Sequence, residues 1–218
     1  HVVQHAIQRA GIEAAEVEDV IMGCAFPEGT TGLNIARQSA LAGGCPVEVP
    51  GLTVNRFCSS GLNAIALAAN YVRNDGAEVV VAGGVESLSF PGGGGNRDNS
   101  DSRLYKQYPG VMLPMIDTAD VVAERYKISR EYQDQFSLES QQRMAAAQQA
   151  GKFKDEIVPM KTKMKQVNKE TKEETIVDYV VDRDECNRPD TNLEGLAKLQ
   201  PVKGPDKFIT AGNASQLS

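Results

Sequence analysis

The sequence predicts an α/β fold, a mostly parallel sheet with helices on its faces. Two observations predict it. Over residues 1–90, helix-type and strand-type segments alternate, the order that βαβ units produce. Within them, Glu78-Val-Val-Val-Ala82 is a short β-branched run, the composition of a strand buried in a parallel sheet. The chain has 218 residues, 41% of them hydrophobic. That is enough for one large domain or two small ones around a sizeable core.

Each element has its own signal. Val2 to Ala10 places Val3, Ile7 and Ala10 on one helix face and ends at Gly11. Val17 to Cys24 reads as a strand, followed by a loop at Pro27 and Gly29. Asn34 to Ala42 is a small-residue helix closed by Gly43-Gly44. Thr53 and Val54 suit a strand. From Leu62, the spacing of Ile65, Ala69 and Val72 is helical. Asn74-Asp75-Gly76 is a turn. Near residue 90 the character changes. Pro91 to Gly95 reads as a flexible joint, and the lysine and helix that a phosphate-cradling loop requires do not follow it. Thr118 to Tyr126 is helical, and Ser129 starts a longer helix ending at Gly151. Ile157–Pro159, Met160–Val167 and Glu174–Val181 look strand-like, with a charged turn at Asn168 to Lys172. Phe208 to Ser215 resembles a strand entering a glycine-containing turn. Residues 91–205 then read as an insertion that divides a first domain into 1–90 and 206–218.

Charge and cysteine usage narrow the function. The net charge of −6 provides no footprint for nucleic acid. Residues 1–90 hold four Arg, no Lys and nine acids, whereas residues 151–207 hold twelve basic and twelve acidic groups. The second half is the better place for contacts with an anionic ligand. No run of 18 apolar residues is present, so no membrane-spanning helix is expected. Four cysteines (Cys24, Cys45, Cys58, Cys186) are spread without a CxxC pair. The spacing argues against a zinc site and a secreted disulfide scaffold, and points to a reducing compartment.

Cys58 stands apart because it falls where a strand ends and a helix begins. Ser59 and Ser60 are helix-start residues, whose hydroxyls can accept orphan amide protons. The positive end of a helix favours a thiolate, which is the nucleophilic form. A buried thiol acting as a small hydrophobe is the competing reading, and the junction alone leaves both open.

Asn55-Arg-Phe-Cys58-Ser-Ser-Gly-Leu62 resembles the nucleophile motif of thiolases. Gly32-Leu-Asn34-Ile-Ala-Arg37-Gln is similar to the family's helix before the nucleophile strand, and Ala82-Gly-Gly84-Val-Glu86-Ser to its glycine-rich turn. Ser140-Gln-Gln, Gly151 to Pro159, Arg188-Pro-Asp-Thr191 and Leu196-Ala-Lys-Leu199 resemble parts of its loop domain. Thr210-Ala-Gly-Asn-Ala-Ser215 resembles the motif returning to the core. These motifs occur in family order along nearly the whole chain.

The resemblance implies a thiolase-like α/β fold, a mostly parallel mixed sheet with helices on both faces. Residues 1–90 and 206–218 would form an incomplete N-terminal core, and 91–205 an inserted α+β loop domain binding coenzyme A. It implies an acetyl-CoA C-acyltransferase that moves acyl groups between CoA thioesters through a Cys58 acyl-thioester. Acyl-CoA and CoA would be the partners, with CoA a co-substrate and no permanently bound cofactor or metal. By position, Arg188 matches the arginine against the adenine end of CoA, and Ser215, with Ala211 and Gly212, the segment on the pantetheine arm. Met115 matches a methionine lining that tunnel. An ordinary surface charge competes for Arg188, and core packing for Met115. Asn34 and Arg37 match residues near the dimer contact of a homodimer or homotetramer. Pro114 replaces a histidine common in short-chain biosynthetic thiolases, which favours the degradative branch, the β-oxidation of fatty acids. Ile116 replaces a usual glycine.

The family's general-base histidine and second cysteine lie in a C-terminal half, and its first core strand lies upstream of His1. Neither His1 nor His5 matches that histidine, and Cys24, Cys45 and Cys186 read as packing. The 218-residue chain alone is therefore expected to be inactive and to expose apolar faces. The expected location is cytoplasmic, or mitochondrial or peroxisomal if a targeting segment precedes His1. A ketoacyl synthase-type condensing enzyme is the alternative enzyme, and a non-catalytic CoA-binding subunit the alternative class.

Overall fold

The computed structural model describes residues 1–88 and 101–215. The chain divides into two compact units, His1–Arg97 and Asp98–Ser218. The Pro91–Gly95 joint and the boundary between residues 90 and 91 lie outside the described residues.

In the first unit, α1 (Val2–Ala10), β1 (Asp19–Gly23), α2 (Ile35–Ala42), β2 (Gly51–Val54), α3 (Ser60–Asn70) and β3 (Val80–Gly84) follow in order. The strands form a parallel sheet in the order β2-β1-β3. Ile21 of the central strand lies opposite Leu52 on one side and Ala82 on the other. Successive side chains of a strand point to opposite faces. Val20 and Met22 accordingly join Val3, Ile7, Ala36 and Ala40 under α1 and α2. Ile21 joins Ala64 and Ala68 of α3. Helices thus cover both faces of the sheet, as expected, and β1 has an apolar run because both its faces are buried.

Helix ends follow the sequence signals. Gly11 closes α1 in the left-handed conformation, with φ 69°. Asn34 caps α2, its Oδ1 accepting the Arg37 N–H at 3.2 Å. The α3 start differs from expectation. Neither serine caps an amide of α3. Ser59 Oγ donates to the Arg56 carbonyl, while Ser60 Oγ donates to the Phe57 carbonyl and accepts the Arg56 N–H. The hydroxyls are drawn back to brace the turn before the helix.

Asp19 opens β1 with Oδ1 buried and without a hydrogen-bond partner. Burial pushes its carboxyl above its ordinary value, against a smaller opposing pull from the Val20 backbone. A carboxyl raised in this way stabilises the fold fully below its unfolded pKa, and that contribution is lost as pH rises through the folded value. Asp19→Asn is therefore expected to melt above the wild type at neutral pH, and the gap to shrink in acid. Melting curves of both proteins across that range check this, and an equal or lower melting point at neutral pH would contradict it.

In the second unit, α4 (Ser102–Gln107), α5 (Met115–Tyr126) and α6 (Arg130–Gln149) precede an antiparallel hairpin of β4 (Met160–Val167) and β5 (Glu174–Val181). The short α7 (Leu193–Ala197) follows. Ser129 caps α6 through its hydroxyl, which accepts the Tyr132 N–H. Asn168 Oδ1 accepts the N–H groups of Glu170 and Thr171, closing the charged turn of the hairpin. Two strand expectations are corrected. Ile157–Pro159 stands outside β4, after a run of turns over 151–156 and with a proline that lacks the N–H a ladder needs. Phe208–Thr210 is irregular. The Val202 N–H donates to the Ile209 carbonyl, but the segment is otherwise gathered into a turn, where Asn213 Oδ1 accepts the Thr210 N–H. The polar stretch before Thr118 also holds α4 and the first turn of α5.

Residues 208–213 are tied to α5 and α6. Asp120 accepts the Phe208 N–H at 2.8 Å, and Asn213 Nδ2 donates to Asp134 at 3.3 Å. That residues 206–218 belong to the first domain is a proposal, supported by the change of character near residue 90 and by the family resemblance.

Candidate active site

Cys58 sits on a single 3-10 turn, Phe57–Ser59, between the end of β2 and the start of α3. It is the exposed one of the four cysteines; Cys24 and Cys45 are buried and Cys186 is half-buried. Burial foremost pushes the Cys24 thiol above its ordinary value, with the Glu86 carboxylate adding to the rise and Thr31 and Phe26 opposing it. Burial likewise raises Cys45, against the Arg37 charge. Thiols held protonated in this way are packing groups.

The turn that presents Cys58 is strained and braced. Phe57 has φ 48°, a left-handed conformation costing about 1–2 kcal/mol for a residue with a side chain. Asn55 Oδ1 accepts the Phe57 N–H at 2.9 Å. Ser60 Oγ takes up the Arg56 N–H at 2.9 Å and donates to the Phe57 carbonyl at 2.6 Å. The peptide groups flanking the strained residue are thus satisfied locally. The N-terminus of α3 begins two residues after Cys58, and the positive end of the helix dipole favours negative charge developing nearby.

A groove of about 440 Å³ opens at this turn, lined by Cys58, Gly61, Ala25, Phe26, Gly84 and Glu86 among others. Its far wall is the loop after β1. Glu86 accepts the Ala25 N–H at 2.7 Å and the Phe26 N–H at 3.2 Å. Thr31 Oγ1 donates to the Phe26 carbonyl at 2.7 Å. Gly23 lets α3 approach the end of β1, since a Cβ there would lie 2.3 Å from the Ser60 carbonyl carbon. Gly23→Ala must push the helix start away. We expect a loss of about 2–3 kcal/mol, read as a melting-point drop of roughly 10 °C or more. A variant melting with the wild type would contradict this close approach.

A second cavity, about 410 Å³, lies in the second unit and brings together Arg188, Ala211 and Gly212 with Gln141, Leu196 and Leu199. Gln141 Oε1 of α6 accepts the Arg188 N–H at 2.8 Å. Thr191 Oγ1 donates to the Arg188 carbonyl at 2.7 Å. Gly212 packs closely on this wall: a Cβ would fall 2.4 Å from a Leu196 methyl and 2.7 Å from a Leu199 methyl, so both leucine side chains would have to shift. Behind this wall, Arg130 Nε donates to both oxygens of Asp134 at 2.9 Å, and its Nη2 to the carbonyls of Leu196 and Leu199. Three of the five expected substrate contacts share this cavity. Ser215 is exposed just past its wall residue Ala214. Met115 opens α5, is 72% exposed, and is not among the residues lining the cavity.

Asn34 and Arg37 are engaged within the chain. Asn34 Nδ2 donates to the Gly51 carbonyl at 2.7 Å, and Thr53 Oγ1 donates to Asn34 Oδ1. Arg37 donates to the carbonyls of Val47 and Val49. Together they brace α2 against β2, an edge strand of the sheet. The motifs that carry the resemblance contain Asn55 and Glu86 without giving either a role, and Arg130 and Asp134 carried no expectation. Asn55 carried a local signal, since an asparagine two residues before a turn peptide is an Asx-turn former, and Arg130 and Asp134 carried one as an oppositely charged i,i+4 pair. Glu86 acts across 60 or more residues, as do the further bonds of Arg130 and Asp134.

Fold and site together define an α/β protein that presents an exposed cysteine on a strand-to-helix turn. The family model described as "Thiolase, N-terminal domain" matches residues 1–218. The chain belongs to the thiolase family, as a representative of that N-terminal domain. It is 44% identical to beta-ketoadipyl-CoA thiolase of Pseudomonas knackmussii, covering 95% of this chain and 53% of the relative. It is 39% identical to 3-ketoacyl-CoA thiolase of Bacillus subtilis, covering 99% of this chain and 55% of that protein. Among solved structures, acetyl-CoA acetyltransferase of Bacillus anthracis superposes with a TM-score of 0.77 at 35% identity, covering 98% of this chain and 54% of that one. Human mitochondrial 3-ketoacyl-CoA thiolase in complex with CoA gives 0.76 at 34% identity, covering 98% and 53%. The chain spans about half the length of the relatives it matches. No helix of the described residues is long and apolar enough to cross a membrane.

Proposed function

We propose that this protein is a thiolase-type acyltransferase and that Cys58 carries the acyl group. One observation supports this above all. Cys58, the exposed cysteine of four, stands on a braced strand-to-helix turn beside an open groove. In the degradative direction, the Cys58 thiolate attacks the 3-keto carbonyl of a 3-ketoacyl-CoA. The Cα–Cβ bond breaks, and the departing acetyl-CoA carbanion takes a proton. The thiol of free CoA, giving up its proton, then attacks the acyl-thioester, releasing the shortened acyl-CoA and the Cys58 thiolate. A thiolate is both nucleophile and leaving group, so one hard step becomes two easier ones. By family resemblance, the proton carriers are a histidine and a second cysteine in the half of the relatives that this chain does not span. The cavity at Arg188, Ala211 and Gly212 is the proposed seat of CoA, because a guanidinium can stack on an adenine ring and pair with phosphate.

We further propose a homodimer or homotetramer whose contact lies near Asn34 and Arg37, Met115 and Ser215 on the CoA arm, the degradative branch, and a reducing compartment such as the cytoplasm. Thiolases 39–44% identical to the chain come from bacteria, and one 40% identical is a peroxisomal protein of Arabidopsis thaliana.

An acyl-enzyme predicts exchange without a second substrate. Incubated with acetyl-CoA and isotopically labelled CoA, the chain joined to the C-terminal half that its relatives carry, the form used in every activity assay below, should place label in acetyl-CoA. CoA binding without exchange would overturn the proposal in favour of a binding subunit. Exchange without cleavage of a 3-ketoacyl-CoA would favour a ketoacyl synthase-type enzyme.

A further inference from the structure

We propose that Asn55 is a positioning residue for acyl transfer at Cys58, holding the two walls of the nucleophile groove in register. The inference rests on Cys58 being the acyl carrier. The Asn55 carboxamide makes one bond to each wall. Its Oδ1 accepts the Phe57 N–H at 2.9 Å, on the wall that carries Cys58. Its Nδ2 donates to the Ala25 carbonyl at 2.9 Å, on the loop that forms the opposite wall. A planar amide with both ends engaged sets a fixed spacing between them.

The two bonds act on the places where the groove is least constrained by regular structure. Phe57 is held left-handed, and the bond to its N–H offsets that strain. Without it, the peptide before Cys58 is free to relax, and relaxation redirects the Cys58 side chain. Across the groove, Glu86 fixes the loop through the N–H groups of Ala25 and Phe26, while Asn55 holds it by the Ala25 carbonyl. The loop is thereby gripped by donors and acceptors from two strand ends. Asn55 itself follows β2 directly, so its backbone is set by the sheet. Aspartate can keep the acceptor but not the donor, and alanine keeps neither.

A group acting by placement affects a reaction that needs a bound, aligned acyl-CoA more than one with a small diffusible reagent. The test compares two rates in the wild type, Asn55→Ala and Asn55→Asp. One is exchange of labelled CoA into acetyl-CoA. The other is alkylation of Cys58 by iodoacetamide as a function of pH. Asn55→Ala should slow exchange by about tenfold to a hundredfold. Its alkylation should stay within about threefold of wild type, with the same pH midpoint, because the substitution removes no charge, and its melting point should fall by only a few degrees, since the two bonds lost belong to an exposed side chain. Asn55→Asp keeps the Phe57 bond and should fall between the two. Exchange at the wild-type rate in Asn55→Ala overturns the inference while leaving Cys58 as carrier. So does a shifted alkylation midpoint, which would make the residue electrostatic, or a parallel loss of alkylation and melting point, which would make it scaffold alone. Absence of exchange in the wild type overturns the acyltransferase reading itself, and this inference with it.

Discussion

Cys58→Ser is expected to abolish exchange of labelled CoA into acetyl-CoA, lowering its rate by at least about 10⁴-fold. The loss should be that large because no other group in the groove can take over. Cys24 lies behind the groove wall, buried, with its thiol pushed up by that burial and by Glu86. The hydroxyls of Ser59 and Ser60 are committed to the Arg56 and Phe57 carbonyls. A serine at position 58 keeps the shape but holds its proton at neutral pH, and an alkoxide is a far poorer leaving group than a thiolate. Binding of CoA should survive, since the proposed cavity for it is built from other residues. A Cys58→Ser protein that still exchanges label at a sizeable rate would transfer the role to another residue.

Arg130→Met is expected to cost about 3–5 kcal/mol, and to lower the melting point of the second unit by roughly 10–20 °C. The pair is enclosed, with side chains 19% and 6% exposed for Arg130 and Asp134. Removing the arginine leaves the buried Asp134 carboxylate with the Asn213 amide as its side-chain donor. It also leaves the carbonyls of Leu196 and Leu199 without their donor. Those two residues form the wall against which Gly212 packs, so CoA binding should weaken as well. Arg130→Met with Asp134→Leu should recover much of the stability, because the stranded charge is gone. A double variant as unstable as Arg130→Met alone would mean that the lost carbonyl bonds dominate.

What the sequence could disclose follows from the range of each interaction. The sheet was legible because β1, β2 and β3 carry β-branched or apolar runs and the helices between them have clear starts and stops, as at Asn34 and Gly11. Cys58 was legible as a junction residue for the same reason, and the resemblance of the surrounding motif made it the proposed nucleophile. The braces around it were not. Glu86 reaches back across the sheet to the loop after β1, and the serines turn away from the helix they precede because Arg56 and Phe57 have peptide groups to satisfy. Ile157–Pro159 and Phe208–Thr210 have strand-like composition, but neither has a partner strand within the described second unit. The Arg188 cavity was legible only as separate residues; its closure depends on Arg130, whose carbonyl acceptors in the cavity wall lie 66 and 69 residues away.

The most direct test of the account is to incubate the purified protein with acetyl-CoA and map the acetyl group by peptide mass spectrometry. The account predicts one acetyl group per chain, on the peptide containing Cys58, removed by added CoA and absent from Cys58→Ser. Acetyl found on Cys24, Cys45, Cys186 or a serine, or no acetyl group on a protein that binds CoA, would contradict it.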